Sequence, residues 1–473
     1  MPKPLYHSPS AQERPSSALV NDQWSREVVP RLPQQVNEQA KRLKAFVRVR
    51  EVKSATDLLR GLLAYVLCGS ATSFRRLGAW AMLIGLADMS ETAWRQRLRK
   101  ASAWLLWLLG ELLAAPVEAQ TSWLHGRTSG RVLLVDATRL QETGQQGQEW
   151  RVHTAYALVA ARLCEVTVTD RHGGESLLHS HLQPNDIAVC DNGYGYRRSV
   201  AVAHSQHAQV VLHITPDTFP LEDEQGQPVE VLAWLQAPGP SLRSQLCWCR
   251  GPWQRYEVRL VAMALEEEAT KKARQRKQQQ AREKGKKGSQ TTLFVAGWVL
   301  LITTLPQSAW SDEEVLRLYR ARWQIELVYK RLKQLLHLSS LQCETVETAQ
   351  ATIRALLVAW VLQEEEAAGL REELWQGQAE GPLLGTEVVE RPISRWQLNA
   401  LCLDTLRMQV QGQWSSTRLR TCASRLQRFV CSSPRQRVHL ETRWRRWLTT
   451  APASLGGVGR APHERGEALS LRL

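Results

Sequence analysis

The residues of this 473-residue chain that could do chemistry are three acids set far apart. Asp136 follows the apolar run Leu133-Leu134-Val135, and Asp191 follows Ala188-Val189-Cys190. A strand end fixes a carboxylate rigidly at a sheet edge, although either acid alone reads more readily as an ordinary loop cap. The third acid, Glu326, stands among cations. Tyr319, Arg322, Glu326 and Lys333 are spaced by 3, 4 and 7. At about 100° per residue they gather within roughly 60° on one helical face. Lys330 and His337 extend that stripe, and Leu318, Ile325 and Leu332 form an apolar one beside it. Seen alone, the polar stripe is an ordinary solvent-facing ladder of ion pairs.

Taken together the three acids make chemical sense. Hard divalent cations prefer oxygen ligands, and two ions roughly 4 Å apart need bridging and flanking carboxylates. One ion activates water or a 3′-OH and the other stabilises the leaving oxygen. Phosphoryl transfer asks for little beyond positioning and charge stabilisation. Asp136, Asp191 and Glu326 are therefore the expected catalytic and metal-holding residues, with two Mg²⁺ ions as cofactor and Mn²⁺ able to replace them. Tyr319, Arg322, Lys330 and Lys333 would hold nucleic-acid phosphates beside the metals, Arg as a fork and Lys as a point charge.

The elements that must position these groups are legible from periodicity. Ser54 with Asp57 reads as a capping box ahead of an amphipathic helix through Val66. A second helix is predicted over 73–79 and a third, capped by Ser90, over 91–113. The third carries Arg95, Arg97 and Arg99 early and Trp104, Leu105, Leu108 and Leu109 later. That combination suits DNA binding, and it equally suits a solvated face on a bundle. From Arg131 the period becomes strand-like, with strands over 132–135, 150–159, 166–168, 187–190 and 210–214 and a helix over 196–204 between the last two. Residues 216–306 break the alternation with turns, short strands over 245–250 and 257–262, a basic run from Glu266 to Lys287, and a strand over 293–304. Ser311 starts one long helix to about Leu338. Further helices are predicted over 346–363 and 396–411.

With these elements in place, the sequence resembles the DDE transposases of bacterial insertion sequences of the IS4 type, the group that includes the Tn5 transposase. Asp136-Ala137-Thr138 and Asp191-Asn192-Gly193-Tyr194 are close to that family's two Asp elements. Tyr319, Arg322, Glu326 and Lys333 match its Y-x2-R-x3-E-x6-K signature in full. The resemblance runs over about residues 40–430. It implies an α/β fold: an RNase H-like mixed-sheet catalytic core with a β-rich insertion, flanked by N-terminal and C-terminal helical regions. It also implies cut-and-paste DNA transposition through hairpin ends, in which a flipped base near the cleaved end stacks on an aromatic residue. Trp298 stands at the matching place. Two departures are visible. Asn192 replaces the usual Arg after the second Asp, and His213 stands where relatives often carry an Arg near DNA.

The expected organisation is a flexible N-terminus at 1–38 and a helical DNA-binding domain at 39–128, whose Arg95, Arg97 and Arg99 would read terminal inverted repeats. A catalytic core at 129–345 carries the insertion at about 216–306. A C-terminal helical region at 346–450 would support a homodimer that synapses two ends, and a flexible tail fills 451–473. Composition agrees with a partner made of DNA. Lys and Arg exceed Asp and Glu by 61 − 46 = 15, and the sequence pI is about 9.6. The 9 cysteines form no paired CxxC elements, which argues against a structural zinc site and for a reducing compartment. No apolar signal core opens the chain, and no apolar stretch is long enough to span a bilayer. A cytoplasmic, nucleoid-associated bacterial protein is expected, with double-stranded DNA as partner and no membrane. Two alternatives fit the same residues: a metal-dependent DNA nuclease on the same core, and a decayed element that still binds DNA.

Overall fold

The computed structural model describes residues 22–68, 73–114, 124, 128–141, 149–283, 285, 289–338, 345–379, 393–411 and 420. The expectations for 1–21, for most of 412–450, for the tail and for Lys284, Lys286 and Lys287 lie outside them. In chain order the elements are α1 (Val36–Arg42), α2 (Ala55–Leu67), α3 (Phe74–Leu83), α4 (Glu91–Ala114), β1 (Val132–Gln141), β2 (Glu149–Ala157), β3 (Arg162–Asp170), β4 (Ile187–Cys190), α5 (Arg197–Ser205) and β5 (Gln209–His213). Then follow α6 (Val231–Gln236), β6 (Leu242–Arg250), β7 (Arg255–Ala264), α7 (Glu267–Glu283), α8 (Gln290–Val295), β8 (Trp298–Thr303), α9 (Asp312–Ala321), α10 (Trp323–Leu335), α11 (Val346–Ala379) and α12 (Arg395–Gln411).

The described residues form two compact units. The helical unit draws on the described residues within Met1–Pro116, Leu140–Trp150 and Tyr329–Trp444. Its axis is α11, which packs against α4, α12 and α2. Helix α2 begins as its sequence dictates: the Ser54 hydroxyl accepts from the Asp57 amide at 3.0 Å. Trp94 of α4 is fully buried, and its ring fills the space that a Cβ on Gly61 of α2 would need. Side chains tie the two ends of the sequence together. Arg31 pairs with Glu365 at 3.2 Å and Glu366 at 3.5 Å, and Arg354 donates to Ser102 Oγ at 2.6 Å. Part of the stretch expected to lack a core is packed: Trp24 and Val28, one helical turn apart, are both buried.

The sheet unit draws on the described residues within Val117–Arg139 and Arg151–Val328. Its sheet has 8 strands in the order β3-β2-β1-β4-β5-β8-β7-β6. β4 runs parallel to both β1 and β5, and β5, β8, β7 and β6 are successively antiparallel. The strands of the expected insertion thus continue the same sheet. Alternate residues of β1, β4, β5 and β7, among them Leu133, Ala188, Leu212 and Leu260, join one apolar core with Val200 and Ala203 of α5.

The helix expected over 346–363 runs on to Ala379 and the strand expected over 166–168 spans Arg162–Asp170, and three departures bear on the site. The strand expected over 293–304 starts only at Trp298, because Ser289 caps a short helix by accepting from the Thr292 amide at 3.1 Å. β1 does not stop at Val135 but continues through Asp136 to Gln141, with inward and outward side chains alternating from Asp136 to Leu140. The single helix expected after Ser311 is two, α9 and α10, meeting at Arg322. There the amides of Arg322 and Ile325 donate three residues back, to Tyr319 and Arg322 at 3.0 and 3.1 Å, a tightened turn. α10 closes at Leu335, and His337 beyond it has φ +51°, so His337 is not part of the helical stripe.

Candidate active site

The site is built on the pairing of β1 with β4. Asp186 anchors the start of both: it is fully buried, and its carboxylate accepts from the Arg131 amide at 2.8 Å and from Arg131 Nη2 at 2.6 Å. The register then pairs Val135 with Cys190, so Asp136 and Asp191 come next on neighbouring parallel strands. Adjacent strands lie about 4.8 Å apart, so the two carboxylates share one sheet edge. The Asp191 carboxylate accepts from the Gly193 amide at 2.9 Å and caps the following turn. The turn closes tightly: a Cβ on Gly195 would stand 2.5 Å from the His213 carbonyl oxygen at the end of β5. Asn192, the departure noted above, accepts from Thr215 Oγ1 at 3.0 Å and so helps hold this turn.

Asp136 is buried, and its pKa is raised from 3.8 to about 7, first by burial and then by the Asp191 charge. Two carboxylates on a nearly dry edge ask for a cation. The helices supply one. α9 opens with a capping box between Ser311 and Glu314. Asp312 is held by Arg259 of β7 at 2.7 Å and Ser244 of β6 at 2.6 Å. That fixes the helix to the sheet and carries Arg322 to the edge, where its guanidinium lies 3.8 Å from Asp136 and 2.6 Å from Glu326. Burial opposes the charge on Arg322, but Tyr319, Glu326 and Asp136 together raise its pKa above the ordinary value. Tyr319 is buried, and that burial pushes its pKa up to about 12. Its ring faces His213 at 5.6 Å. Burial, then Arg322 and Lys277, lower His213 to about 4, so this histidine is neutral where an arginine would carry charge.

Asp136, Asp191, Arg322, Glu326 and Tyr319 are thus brought together as their spacing required. Among the described residues no three His, Cys, Asp or Glu side chains already converge closely enough to hold one metal ion. The donor set nevertheless fits a hard divalent cation. All three candidate donors are carboxylates, and two of them, Asp136 and Glu326, already share the Arg322 guanidinium as counter-charge. Sequence reasoning missed one further acid. Glu175, in the loop after β3, lies over the same turn: a Cβ on Gly193 would collide with its Oε2. Burial and then Asp191 raise its pKa. No local pattern in the sequence marked it.

The remaining expected residues are placed as follows. On α10, Lys330 is exposed and Lys333 half-buried. Trp298 opens β8, paired with Ala264, and packs partly into the sheet core. The Arg243 guanidinium lies 4.9 Å from its ring centre and donates to the carbonyls of Trp234, Ala237 and Pro240. On α4 the three arginines do not form one face, because residues two apart point away from each other. Arg95 pairs with Glu91 at 3.1 Å and lies over Phe74, Arg97 lies over Phe46, and Arg99 approaches Glu347 at 3.8 Å.

A mixed sheet with one acid within β1 and a second just past the end of the parallel β4 beside it, faced by a helix bearing an Arg–Glu pair, has the layout of an RNase H-like phosphoryl-transfer domain. Comparison with known proteins agrees. The family described as "Transposase DDE domain" matches residues 127–362. The "Transposase for insertion sequence element IS421" of Escherichia coli is 32% identical over 338 residues, 69% of this chain and 89% of the relative. The "Putative transposase InsL for insertion sequence element IS186A" of Escherichia coli (strain K12) matches with the same identity and coverage. The chain belongs to the DDE transposases of the IS4 type, enzymes that cut and transfer DNA. Family members generally depend on divalent metal. No helix among the described residues is long and apolar enough to cross a membrane.

Proposed function

We propose that this transposase moves its element by cutting and pasting, with Asp136, Asp191 and Glu326 as the catalytic acids. The observation that carries this reading is the Asp136–Asp191 strand pair joined to Glu326 through Arg322. These carboxylates would hold two Mg²⁺ ions, or Mn²⁺ in their place; when bound, such ions activate the attacking oxygen and neutralise the leaving one. In the first cut, water forms a bond to phosphorus and the 3′-oxygen leaves. The freed 3′-OH then attacks the opposite strand to form a hairpin, water reopens it, and the same 3′-OH joins target DNA. Each step exchanges one P–O bond for another.

The chain's own residues do the positioning. Arg322, pinned here between two acids, is within reach of a phosphate once those acids have another counter-charge. Tyr319, Lys330 and Lys333 extend that grip along the strand. Trp298 would stack the flipped base of the hairpin intermediate, with Arg243 fixing one side of its ring. Arg95 and Arg99, four residues apart on one side of α4, would contact the inverted repeats without Arg97, which points away from them, and the C-terminal helical region would support a homodimer across two ends. The setting is the bacterial cytoplasm, at the nucleoid. Glu326→Gln is expected to abolish nicking of a duplex bearing the element's own end, in Mg²⁺ or Mn²⁺, while end binding persists. Unchanged nicking would remove the assignment. Trp298→Ala is expected to keep the first nick and lose hairpin yield, read on a denaturing gel.

A further inference from the structure

Helix α7 has no place in the chemistry above, and its build is unusual. None of its residues is buried. From Lys271 to Arg282 it carries 6 cations and no acid. A helix that is polar all round is normally braced by many pairs four residues apart or bridges to something else. Lys272 pairs with Glu268 at 3.8 Å, both well exposed. A solvated 17-residue helix interrupting a sheet between β7 and β8 contributes little to the core.

It is nevertheless held in a definite place. The Leu265 amide just before it donates to the Gly297 carbonyl at 2.8 Å, and Thr270 donates back to Leu265 at 3.1 Å. A Cβ on Gly297 would stand 3.1 Å from Thr270 Cγ2, so the root of the helix rests against the residue before Trp298. Arg274 Nε donates to the Leu293 carbonyl of α8 at 3.0 Å. The register of β8 with β5 sets Leu301 opposite His213, and the Ile214 amide donates to the Leu300 carbonyl at 3.0 Å, so Trp298 and the root of α7 lie past the end of β5, on the side of the sheet where Asp191 follows β4. The root of the helix therefore lies on the side of the sheet that carries the acids, with exposed cations along its length.

We propose that α7 is a DNA-binding arm that grips the phosphate backbone of the duplex held at the Asp136–Asp191 edge, without reading its sequence. The inference rests on that edge being the place where DNA is cut. Charge complementarity names the occupant: exposed lysines and arginines on a helix beside a phosphoryl-transfer site match a polyphosphate strand, and such contacts are sequence-independent.

The test is binding of the full-length protein to a mixed-sequence duplex at several salt concentrations. K271Q/K272Q/K277Q/R282Q changes four exposed positions and keeps good helix formers. Each phosphate that is no longer neutralised lowers the slope of log affinity against log salt by about 0.9, so the slope should fall by about 3 to 4 and affinity at physiological salt by roughly a hundredfold. The charge-preserving set K271R/K272R/K277R should retain the wild-type slope. An unchanged slope in the Gln set, or a reduced one in the Arg set, overturns the proposal. Glu326→Gln separates this from the catalytic reading: if it still nicks DNA, the active-site assignment falls while the salt slopes stand on their own.

Discussion

The sheet edge and helix α7 both carry charge, and they carry it in opposite ways. At the edge, Arg322 lies against Glu326 and Asp136 while Asp191 acts on the buried Asp136, so each charge is set by the others. On α7 the cations are exposed. Buried, coupled charges are strongly non-additive, whereas exposed ones act nearly independently and are screened by salt. The edge is built for chemistry, which needs groups that depend on one another. The helix is built for grip, which needs only their sum.

That contrast can be broken in several ways. The largest effect belongs to the edge: Asp136→Asn and Glu326→Gln should each lower the nicking rate by at least about 10³-fold, and the double variant should be scarcely worse, as in sites that work as a unit. Additive losses, measured in single-turnover nicking, would put the two acids in separate roles.

The next effect is a pH dependence. Asp136 is raised from 3.8 to about 7. Between those values the folded chain holds a proton that the unfolded chain has released, so without metal this group makes stability fall as pH rises. Asp136→Asn removes that loss. The variant should match wild type at acid pH and become more stable, by on the order of 4 kcal/mol, as pH passes 7. Melting curves of both proteins in chelator check the sign; a variant less stable than wild type at neutral pH would refute it.

On α7 the expected steps are smaller and equal. Lys271→Gln and Lys277→Gln should each reduce the salt slope by about one, and together by about two. The smallest effect is on α4, where Arg99→Gln removes a solvent-exposed contact to Glu347 and should leave the melting temperature unchanged.

How far these regions were legible follows from the range of the interactions that make them. Asp191 was legible because its strand is a short apolar run that ends where the polarity changes. The Y-R-E-K spacing was legible because helical periodicity is local. The break at Arg322 was not, because it comes from tertiary demands on that guanidinium, and the apolar stripe runs on through it. The extension of β1 past Val135 was hidden because Asp136 and Thr138 are buried polar residues, which a hydropathy pattern reads as an end. Glu175 meets Asp191 across sixteen residues of loop and strand, and no motif marks it. The union of the first helices with α11 depends on pairs such as Arg31 with Glu365, more than three hundred residues apart, which no window along the chain contains.

The account stands or falls on whether the acids of the edge hold a common cation. Mn²⁺ binding to the full-length protein, followed by electron paramagnetic resonance, measures this without turnover. Asp136→Asn and Asp191→Asn should each weaken binding by about tenfold or more, and Glu326→Gln should weaken it as well. Equal Mn²⁺ affinity in wild type and in all three variants would contradict the shared site.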